Sequence, residues 1–430
     1  MRYSSVVNVR AVRLEGRVRD VVSSGDAIVE TTRGLVFVRG ALVGEQLRIS
    51  LDDKRGRVQR GRLVEVLEPS SARVEPPCPY VQRCGGCALM HASPEAQHAL
   101  RVGFLRSALR KVGVSDEVVV HDSASPEPYG YRRRARLAFR VGGRGRELGF
   151  RRERSHDIAD IERCLVLAPP LERALELVRA RLLGLLAGEG ELSLALGLGG
   201  AAVVVLRSES VQQPALYTAC EALVQDGGIA GVALYVAGAS KPALFGDARE
   251  WSEGFDGQPL EGTVAGFAQA NAAVNRALVA RVVERVQSRD ARVLELYAGS
   301  GNFTIALAAG AASYTAIEQA PDAVAALRRN LAARSLAAKV VEGDVSERVR
   351  RAGPIDVVLL DPPRTGAPGV LAAIAAHKPK RVVYVSCDPA TLARDLAELL
   401  PRYTLTWLEA FEMFPQTAEL ESLAVLELQA

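Results

Sequence analysis

From about residue 261 onward, the chain alternates short apolar runs with amphipathic segments of helical period. The strand-like runs lie at residues 292–296, 314–318, 340–344 and 355–361. Each run is followed by a stretch in which apolar residues recur every three or four positions, as expected for helices that connect parallel strands. We therefore predict an α/β fold for residues 261–430, with a doubly wound, Rossmann-like sheet.

A cysteine stands where a further apolar run gives way to a helix. The run 381–385 is followed by Cys387, and Pro389 opens the next helical pattern. Ligands of open α/β sheets bind at the carboxyl ends of the strands, and a helix N-terminus favours the thiolate form of a cysteine. Taken alone, the stretch is equally typical of a small buried core thiol.

The N-terminal part of the chain has the period-two pattern of short strands. Strand-like runs at residues 27–31, 34–39, 46–51 and 57–67 are separated by Gly and Asp. This pattern predicts an OB-like β-barrel in residues 1–68, a fold that commonly binds oligonucleotides. Its arginines suit a surface that follows an RNA backbone, although a purely structural role is the alternative. They are Arg10, Arg13, Arg17, Arg19, Arg55, Arg57, Arg60 and Arg62.

Residues 69–260 mix helical and strand-like segments, which predicts a central α+β domain. A helical period covers 94–113, and the segment 131–139 reads as a strand with Arg132, Arg134 and Arg136 on one face. Cys220 lies within an amphipathic helix and is expected to be buried.

Composition and charge narrow the function classes. The chain has 430 residues, of which 24% are charged and 48% hydrophobic, as in ordinary globular proteins of several domains. It shows neither the layout of a signal peptide nor an apolar run of membrane-spanning length, so we expect a cytoplasmic monomer with no membrane contact and no obligate protein partner. Residues 101–154 hold 14 Lys and Arg against 6 Asp and Glu, which is as typical of a surface that binds a polyanion, most plausibly nucleic acid, as of a merely solvated face.

Three of the six cysteines occur within ten residues. Cys78, Cys84 and Cys87 have the spacing C-x5-C-x2-C, with two glycines between the last two. Such a loop suits an iron–sulfur cluster or a zinc ion, and the spacing does not choose between them. A fourth thiol is required, and Cys164, Cys220 and Cys387 are the candidates.

A glycine turn and three acids indicate a nucleoside cofactor. Gly299 and Gly301 follow the first strand-like run, and acids close the next three runs: Glu318, Asp344 and Asp361. Glycines permit close approach of the backbone, and an acid at a strand end binds ribose hydroxyls. The third glycine of the dinucleotide fingerprint is missing, which favours S-adenosylmethionine over NAD.

Seven motifs, taken in order, resemble those of the RNA uracil-C5 methyltransferases, in particular the iron–sulfur members that modify 23S ribosomal RNA. The first β unit is similar to the TRAM domain of that family. The motifs are the four-cysteine set, Tyr131–Arg136, Phe267–Asn271, Leu294–Phe303, Asp361–Arg364, Ser386–Asp395 and Met413–Glu421.

The resemblance implies a role for each matching residue. It implies that Cys387 is the nucleophile and Glu421 the base, with Arg364 or Gln269 helping to orient the base. A 4Fe-4S cluster would be bound by Cys78, Cys84, Cys87 and Cys164. The S-adenosylmethionine pocket would be lined by Gln269, Tyr297, Asn302, Glu318, Asp344 and Asp361, with Glu318 on the ribose and Asp344 near the adenine. The chain departs from the common family pattern at Ala298, Gln416, Ala418 and Glu419.

The chemistry of uracil methylation requires these residue types. Carbon C5 of uracil is too weak a nucleophile to attack a methyl sulfonium unaided. A thiolate that adds to C6 produces an enolate that is reactive at C5, and a base must then remove the C5 proton. The target uridine must also leave its stack. The alternatives are the same reaction on transfer RNA, an RNA-binding protein with a redox-sensing cluster, and an NAD-dependent redox enzyme.

Overall fold

A computed structural model describes residues 12–52, 58–143, 145–263 and 268–430. The predictions made for Arg10, Arg55, Arg57 and Phe267 lie outside these residues. The chain forms two compact units. The first comprises residues 1–107 and 416–419, and the second comprises residues 108–415 and 420–430.

The core of the first unit is a closed barrel of five strands, which confirms the predicted OB-like barrel at this level. The strands are β1 (Arg13–Val21), β2 (Asp26–Thr31), β3 (Gly34–Arg39), β4 (Gln46–Leu51) and β5 (Arg60–Glu68), in the order β1-β2-β3-β5-β4 with β4 paired to β1. Alternate residues such as Val36 and Val38 or Leu47 and Ile49 point inward and are at most 1% exposed. This alternation is the period-two signal that predicts the strands.

Four of the barrel arginines singled out from the sequence lie beside carboxylates of the same unit, and one of them, Arg17, is 3.9 Å from Glu68. Arg19 pairs with Glu30 at 3.4 Å, and Arg60 pairs with Asp26 at 3.2 Å. Arg62 donates to Asp52 at 2.8 Å. The pairs of Arg19 and Arg62 lie at the surface and contribute little to stability, whereas the Asp26 carboxylate is buried. The barrel therefore presents less uncompensated positive charge than a count of its arginines indicates.

Helix α1 (Pro94–Arg110) follows the barrel, close to the predicted range. The segment 416–419, although distant in sequence, packs within the first unit. The Leu89 N–H donates to the Gln416 carbonyl at 2.9 Å, and the Gln97 and Gln416 side chains are joined by an amide hydrogen bond of 3.0 Å. Ala418 belongs to the barrel core. Two of the departures from the family pattern are thus buried in this unit.

The second unit contains two large sheets and the remaining helices. Its first strands and helices are β6 (Val120–Ser123), β7 (Arg134–Gly142), β8 (Gly145–Arg151), β9 (Ile158–Asp160), α2 (Pro169–Arg181), β10 (Gly188–Leu196), β11 (Ala202–Ser208), α3 (Pro214–Gln225), β12 (Gly231–Tyr235), β13 (Ala243–Gly246), β14 (Trp251–Glu253) and β15 (Pro259–Glu261). Its later elements are α4 (Ala272–Val286), β16 (Arg292–Leu296), α5 (Thr304–Leu307), β17 (Ser313–Glu318), α6 (Pro321–Ala332), β18 (Lys339–Glu342), α7 (Val345–Arg350), β19 (Val357–Leu360), α8 (Leu371–His377), β20 (Arg381–Ser386), α9 (Pro389–Leu399), β21 (Tyr403–Phe411) and β22 (Glu421–Leu428).

Strands of the central region form a seven-stranded sheet in the order β13-β12-β11-β10-β7-β8-β9. Cys220 lies on α3 and is fully buried, as predicted, and burial raises the pKa of its thiol to about 12. The predicted stripe of three arginines on one strand is wrong for Arg132, which precedes β7. Arg134 is directed to the buried Glu250, at 3.6 Å, and only Arg136 remains exposed. The buried Glu250 carboxylate therefore pairs with the Arg134 guanidinium, which the strand pattern predicts to contact RNA phosphates.

The second sheet has eight strands in the order β18-β17-β16-β19-β20-β22-β21-β6. Strands β18, β17, β16, β19 and β20 are parallel to their neighbours, and β22 is antiparallel to β20. This order confirms the predicted α/β architecture. Strands β16 and β19 are neighbours in the sheet, although β17 and β18 lie between them in sequence. The strand order therefore reverses direction at β16. Open α/β sheets form their ligand-binding cleft at such a point. No helix in the described part of the chain is long and apolar enough to cross a membrane.

Candidate active site

Six of the eight residues that the sequence predicts for cofactor binding and catalysis in the α/β region share one edge of the eight-stranded sheet. Parallel strands end at the same edge, and the antiparallel β22 begins there. Across the sheet, the residues at this edge are Asp344, Glu318, Tyr297, Asp361, Cys387 and Glu421. Adjacent strands lie about 4.8 Å apart, so neighbours in this order are within reach of one small molecule.

Cys387 lies between the end of β20 and the start of α9. Asp388 caps the helix by accepting a hydrogen bond of 2.7 Å from the Thr391 N–H, and Ser386 is buried before it. The thiol itself is half-buried, so a substrate can approach it. The predicted arrangement of strand, thiol and helix is confirmed.

The pairing of β20 with β22 brings Glu421 beside Cys387. Ser386 is opposite Ser422, and the Ser422 hydroxyl donates to the Ser386 carbonyl at 2.9 Å. In an antiparallel pair the next residue along one strand faces the preceding residue of the other, so Cys387 and Glu421 are the next pair in this register. Glu421 is 1% exposed and pairs with Phe411 on β21, which fixes its backbone on that side.

The glycine turn after β16 has positive φ angles, which few residue types other than glycine adopt. Tyr297 has a φ of 62°, Gly299 of 55° and Gly301 of 100°. A Cβ atom on Gly301 would lie 2.6 Å from the Leu327 side chain, so a larger residue would collide with α6. Tyr297 is a non-glycine residue held in the left-handed region, a strain typical of functional sites. Burial, with nearby carboxylates, raises the pKa of Tyr297 to about 12.

Glu318 supports this turn as well as closing β17. Its carboxylate accepts hydrogen bonds from the backbone N–H of Gly299 at 2.9 Å, Gln319 at 2.9 Å and Ala320 at 2.8 Å. A carboxylate has about four acceptor positions, so these bonds leave about one for a ligand. Glu318 therefore shapes the turn and keeps limited capacity toward the cleft, a structural role that the sequence did not predict.

Among the residues predicted to bind the cofactor, Gln269 has the clearest unmet hydrogen-bonding requirement. Its side-chain oxygen and nitrogen are both buried, and neither has a hydrogen-bond partner among the described residues. Leaving a buried polar group unpaired costs about 1–3 kcal/mol, so such an amide is a place where a polar ligand binds. Gln269 precedes α4, whose Asn275 exchanges two amide hydrogen bonds of 2.9 Å with Asn302. This pair joins the α4 segment to the glycine turn.

The remaining two predicted cofactor residues differ in environment. Asp344 is exposed and caps α7 by accepting from the Glu347 N–H at 3.0 Å. Asp361 follows β19 and is half-buried, and burial raises the pKa of its carboxyl above the usual range. Sequence reasoning missed Glu295, a fully buried glutamate of β16 that accepts from the Tyr314 hydroxyl at 2.8 Å and from Thr304. Its signal is a charged residue inside an apolar strand run, and its role is to hold the elements under the glycine turn.

The cysteine loop lies in the first unit, whereas Cys164 lies in the second. Within the loop, the Cys84 N–H donates to the Tyr80 carbonyl at 2.7 Å, and the Gly86 N–H donates to the Cys84 sulfur at 3.5 Å. Hydrogen bonds from backbone N–H groups to thiolate sulfur are a feature of iron–sulfur sites. In the part of the chain that the structure describes, no three His, Cys, Asp or Glu side chains are grouped so as to hold a metal ion.

Comparison with known proteins gives a consistent set of relatives. Residues 274–397 match the family model described as "Conserved hypothetical protein 95". The chain is 36% identical over 421 residues to the 23S rRNA (uracil(1939)-C(5))-methyltransferase RlmD of Edwardsiella ictaluri, covering 95% of this chain and 94% of that protein. The protein of the same name from Pseudomonas putida is 37% identical over 411 residues, covering 91% and 88% of the two chains.

A solved structure matches the fold over almost the whole chain. It is the crystal structure of the Pyrococcus abyssi tRNA (uracil-54, C5)-methyltransferase in complex with S-adenosyl-L-homocysteine. The TM-score is 0.74, and the match covers 96% of this chain and all of that one, at 22% sequence identity. At this identity the likeness establishes the fold alone.

Proposed function

This chain belongs to the family of the 23S rRNA (uracil-C5)-methyltransferases, and we propose that it transfers a methyl group to C5 of a uridine in 23S ribosomal RNA. The observation that carries the proposal is the register of β20 and β22, because it places the half-buried Cys387 and the buried Glu421 one step beyond the paired Ser386 and Ser422, at the same edge of the sheet. A protein that only binds RNA has no use for such a pair. Ribosomal RNA as the substrate implies action in the cytoplasm.

Cys387 is the nucleophile in this proposal. Its thiolate forms a bond to C6 of the flipped uracil, and the electrons of the C5–C6 double bond move to C5 and O4 as an enolate. C5 would then form its bond to the methyl group while the bond between that methyl group and the sulfonium sulfur breaks, with S-adenosylhomocysteine as the leaving group. A nucleophile on the rim of the sheet is suited to a base that has left its stack.

Glu421 completes the cycle as the base. After methyl transfer, C5 carries both a methyl group and a proton. A carboxylate accepts that proton, the C5–C6 double bond re-forms, and the bond between C6 and the Cys387 sulfur breaks. The burial of Glu421 excludes water from the proton that it removes.

The donor set at the sheet edge fits S-adenosylmethionine. Gln269 offers an unsatisfied amide, Glu318 offers an acceptor position beside the glycine turn, and Asp344 and Asp361 offer further carboxylate oxygens. When bound, this cofactor supplies the electrophilic methyl group. The residues of the chain bind and orient it next to Cys387.

Substitution of Gln269 by leucine is expected to weaken binding of S-adenosylhomocysteine about tenfold, because a ligand loses one or two hydrogen bonds of about 1 kcal/mol each. Thermal stability should not fall, since the amide has no hydrogen-bond partner among the residues that the structure describes. Calorimetric titration and thermal unfolding measure the two quantities. Gln225→Leu, on an exposed part of α3, is the matched control and should bind as the wild type does. Equal affinity in the Gln269 variant would remove this residue from the pocket.

We further propose that Cys78, Cys84, Cys87 and Cys164 bind a 4Fe-4S cluster, with zinc as the alternative. The glycine-containing loop and the N–H donor to the Cys84 sulfur support the proposal. The reaction above moves no electron, so the cluster would act as a folding staple for the central domain.

If Cys164 is the fourth ligand, Cys164→Ala purified anaerobically should lose iron and acid-labile sulfide. Cys220→Ala, which alters a buried core thiol, is the control and should retain both. Elemental analysis also separates iron from zinc. Full iron content in the Cys164 variant would exclude this residue as a ligand.

The experiment that tests the proposed function is nucleotide-resolution mapping of 5-methyluridine in a strain that lacks this protein. One position in 23S ribosomal RNA should lose the modification, and re-expression of the wild-type chain should restore it. Loss in transfer RNA instead would show that the chain modifies transfer RNA. Unchanged modification in both RNA pools would contradict the proposal.

A further inference from the structure

The loop that follows Asp361 is held by the helix that follows Cys387. This loop, the 362–367 loop, has an exposed part at Pro363, Arg364 and Thr365 and a buried end at Gly366 and Ala367. Three of its backbone groups bond to side chains of α9. Thr391 donates to the Arg364 carbonyl at 3.0 Å, Arg394 donates to the Thr365 carbonyl at 2.8 Å, and Asp395 accepts from the Ala367 N–H at 2.8 Å.

The centre of this contact is the carboxylate of Asp395, which is fully buried. It accepts hydrogen bonds from the Tyr384 hydroxyl of β20 at 2.5 Å and from the Arg394 guanidinium at 2.6 Å. A buried carboxylate is tolerated only when its acceptor positions are filled and a counter-charge is present, and both conditions are met here. Asp395 thereby ties together β20, α9 and the 362–367 loop.

Gly366 shows how closely the loop and the helix approach. It has a φ of 77°, and a Cβ atom there would lie 2.3 Å from an Arg394 nitrogen and 2.4 Å from an Asp395 oxygen. Only glycine fits such a contact. The position of the loop is therefore fixed by this contact and by the three hydrogen bonds to its backbone.

We propose that Thr391, Arg394 and Asp395 are positioning residues for methyl transfer, and we call them the α9 clamp. The 362–367 loop leaves the sheet edge at β19, the strand next to β20, so it borders the space in front of Cys387. The clamp makes this border and the start of α9 one rigid body, which fixes the uracil site relative to the thiol. Small displacements of reacting groups are costly in rate, because near-attack geometry is lost. This inference rests on the proposed role of Cys387.

Two variants of Thr391 test the clamp without disturbing a buried charge. Thr391→Val keeps the shape of the side chain and removes the hydroxyl, whereas Thr391→Ser keeps the hydroxyl and removes the methyl group. The measurement is the single-turnover rate of covalent trapping on RNA that carries 5-fluorouridine at the mapped position, together with RNA affinity and calorimetric affinity for S-adenosylhomocysteine. Asp395→Asn is the stronger variant, because it removes the charge paired with Arg394.

We expect Thr391→Val to trap RNA about three- to tenfold more slowly, because one hydrogen bond is lost. Asp395→Asn should trap RNA about 10- to 100-fold more slowly. Thr391→Ser should trap at the wild-type rate, and both affinities should change less than about twofold. Wild-type trapping by folded Thr391→Val, or equal slowing by Thr391→Ser, would overturn the clamp. Failure of the wild-type protein itself to trap the RNA would instead overturn the proposed function, on which the clamp depends.

Discussion

Cys387→Ala is expected to lose methyl transfer by at least about four orders of magnitude, because removal of a nucleophile takes away the whole covalent route. Uracil C5 does not attack a methyl sulfonium without prior addition at C6. The same variant should form no adduct with RNA that carries 5-fluorouridine, since no sulfur is left to make the bond. Methyl transfer from radiolabelled cofactor and a denaturing gel measure the two losses.

The controls separate lost chemistry from lost structure. Cys387→Ala should keep wild-type affinity for S-adenosylhomocysteine and for RNA, because the half-buried thiol contributes little to the fold. Cys387→Ser retains the size of the side chain with a much weaker nucleophile and should resemble the alanine variant. Residual turnover near the wild-type rate in Cys387→Ala would assign the nucleophile elsewhere.

Glu421→Gln is expected to separate methyl transfer from product release. A glutamine cannot accept the C5 proton, so the methylated uracil should stay bonded to Cys387 after one turnover. The first turnover should proceed, and later turnovers should slow about 100-fold or more, within the range that a positioned base contributes. A burst of one methyl group per protein and a band of the RNA–protein adduct on a denaturing gel are the readouts.

A neighbouring glutamate provides the matched control. Glu419 differs from the common family pattern and lies outside β22, whose first residue is Glu421. Glu419→Gln should therefore turn over at the wild-type rate and accumulate no adduct. If instead Glu421→Gln turns over normally and Glu419→Gln stalls, the base is Glu419.

The sequence predicts those parts of the fold that arise from local periodicity. The strands of the barrel, the glycine turn after β16 and the arrangement of β20, Cys387 and α9 all have short-range signals, and the structure confirms them. Apolar residues at every second position indicate a strand, and apolar residues at every third or fourth position indicate a helix. These features can therefore be predicted from a few consecutive residues.

Features that depend on distant contacts could not be predicted in this way. Arg134 has the pattern of an exposed strand residue, yet Glu250, far along the chain, draws it into an ion pair. The segment 416–419 joins the first unit through Gln97, which lies more than three hundred positions earlier. The second function of Glu318, as acceptor for the Gly299 N–H, likewise depends on the pairing of β16 with β17.

The candidate site combines both kinds of information. Cys387 stands out from its local pattern, whereas Glu421 was assigned only because its motif resembles that of a known family. The structure supplies a physical basis for considering the two together, since Ser386 and Ser422 are paired across 36 positions of sequence. The roles of the individual site residues remain predictions that the variants above test.

The antiparallel pairing of β20 with β22 also determines where this chain tolerates changes in length. Side chains alternate between the two faces of a strand, so one inserted or deleted residue within the paired part of β22 would turn Glu421 to the opposite face. The connection after β21 tolerates little change in length as well, because Met413, Gln416 and Ala418 are all buried. We therefore expect random insertion libraries of this chain to lose activity from the end of β21 through the paired part of β22.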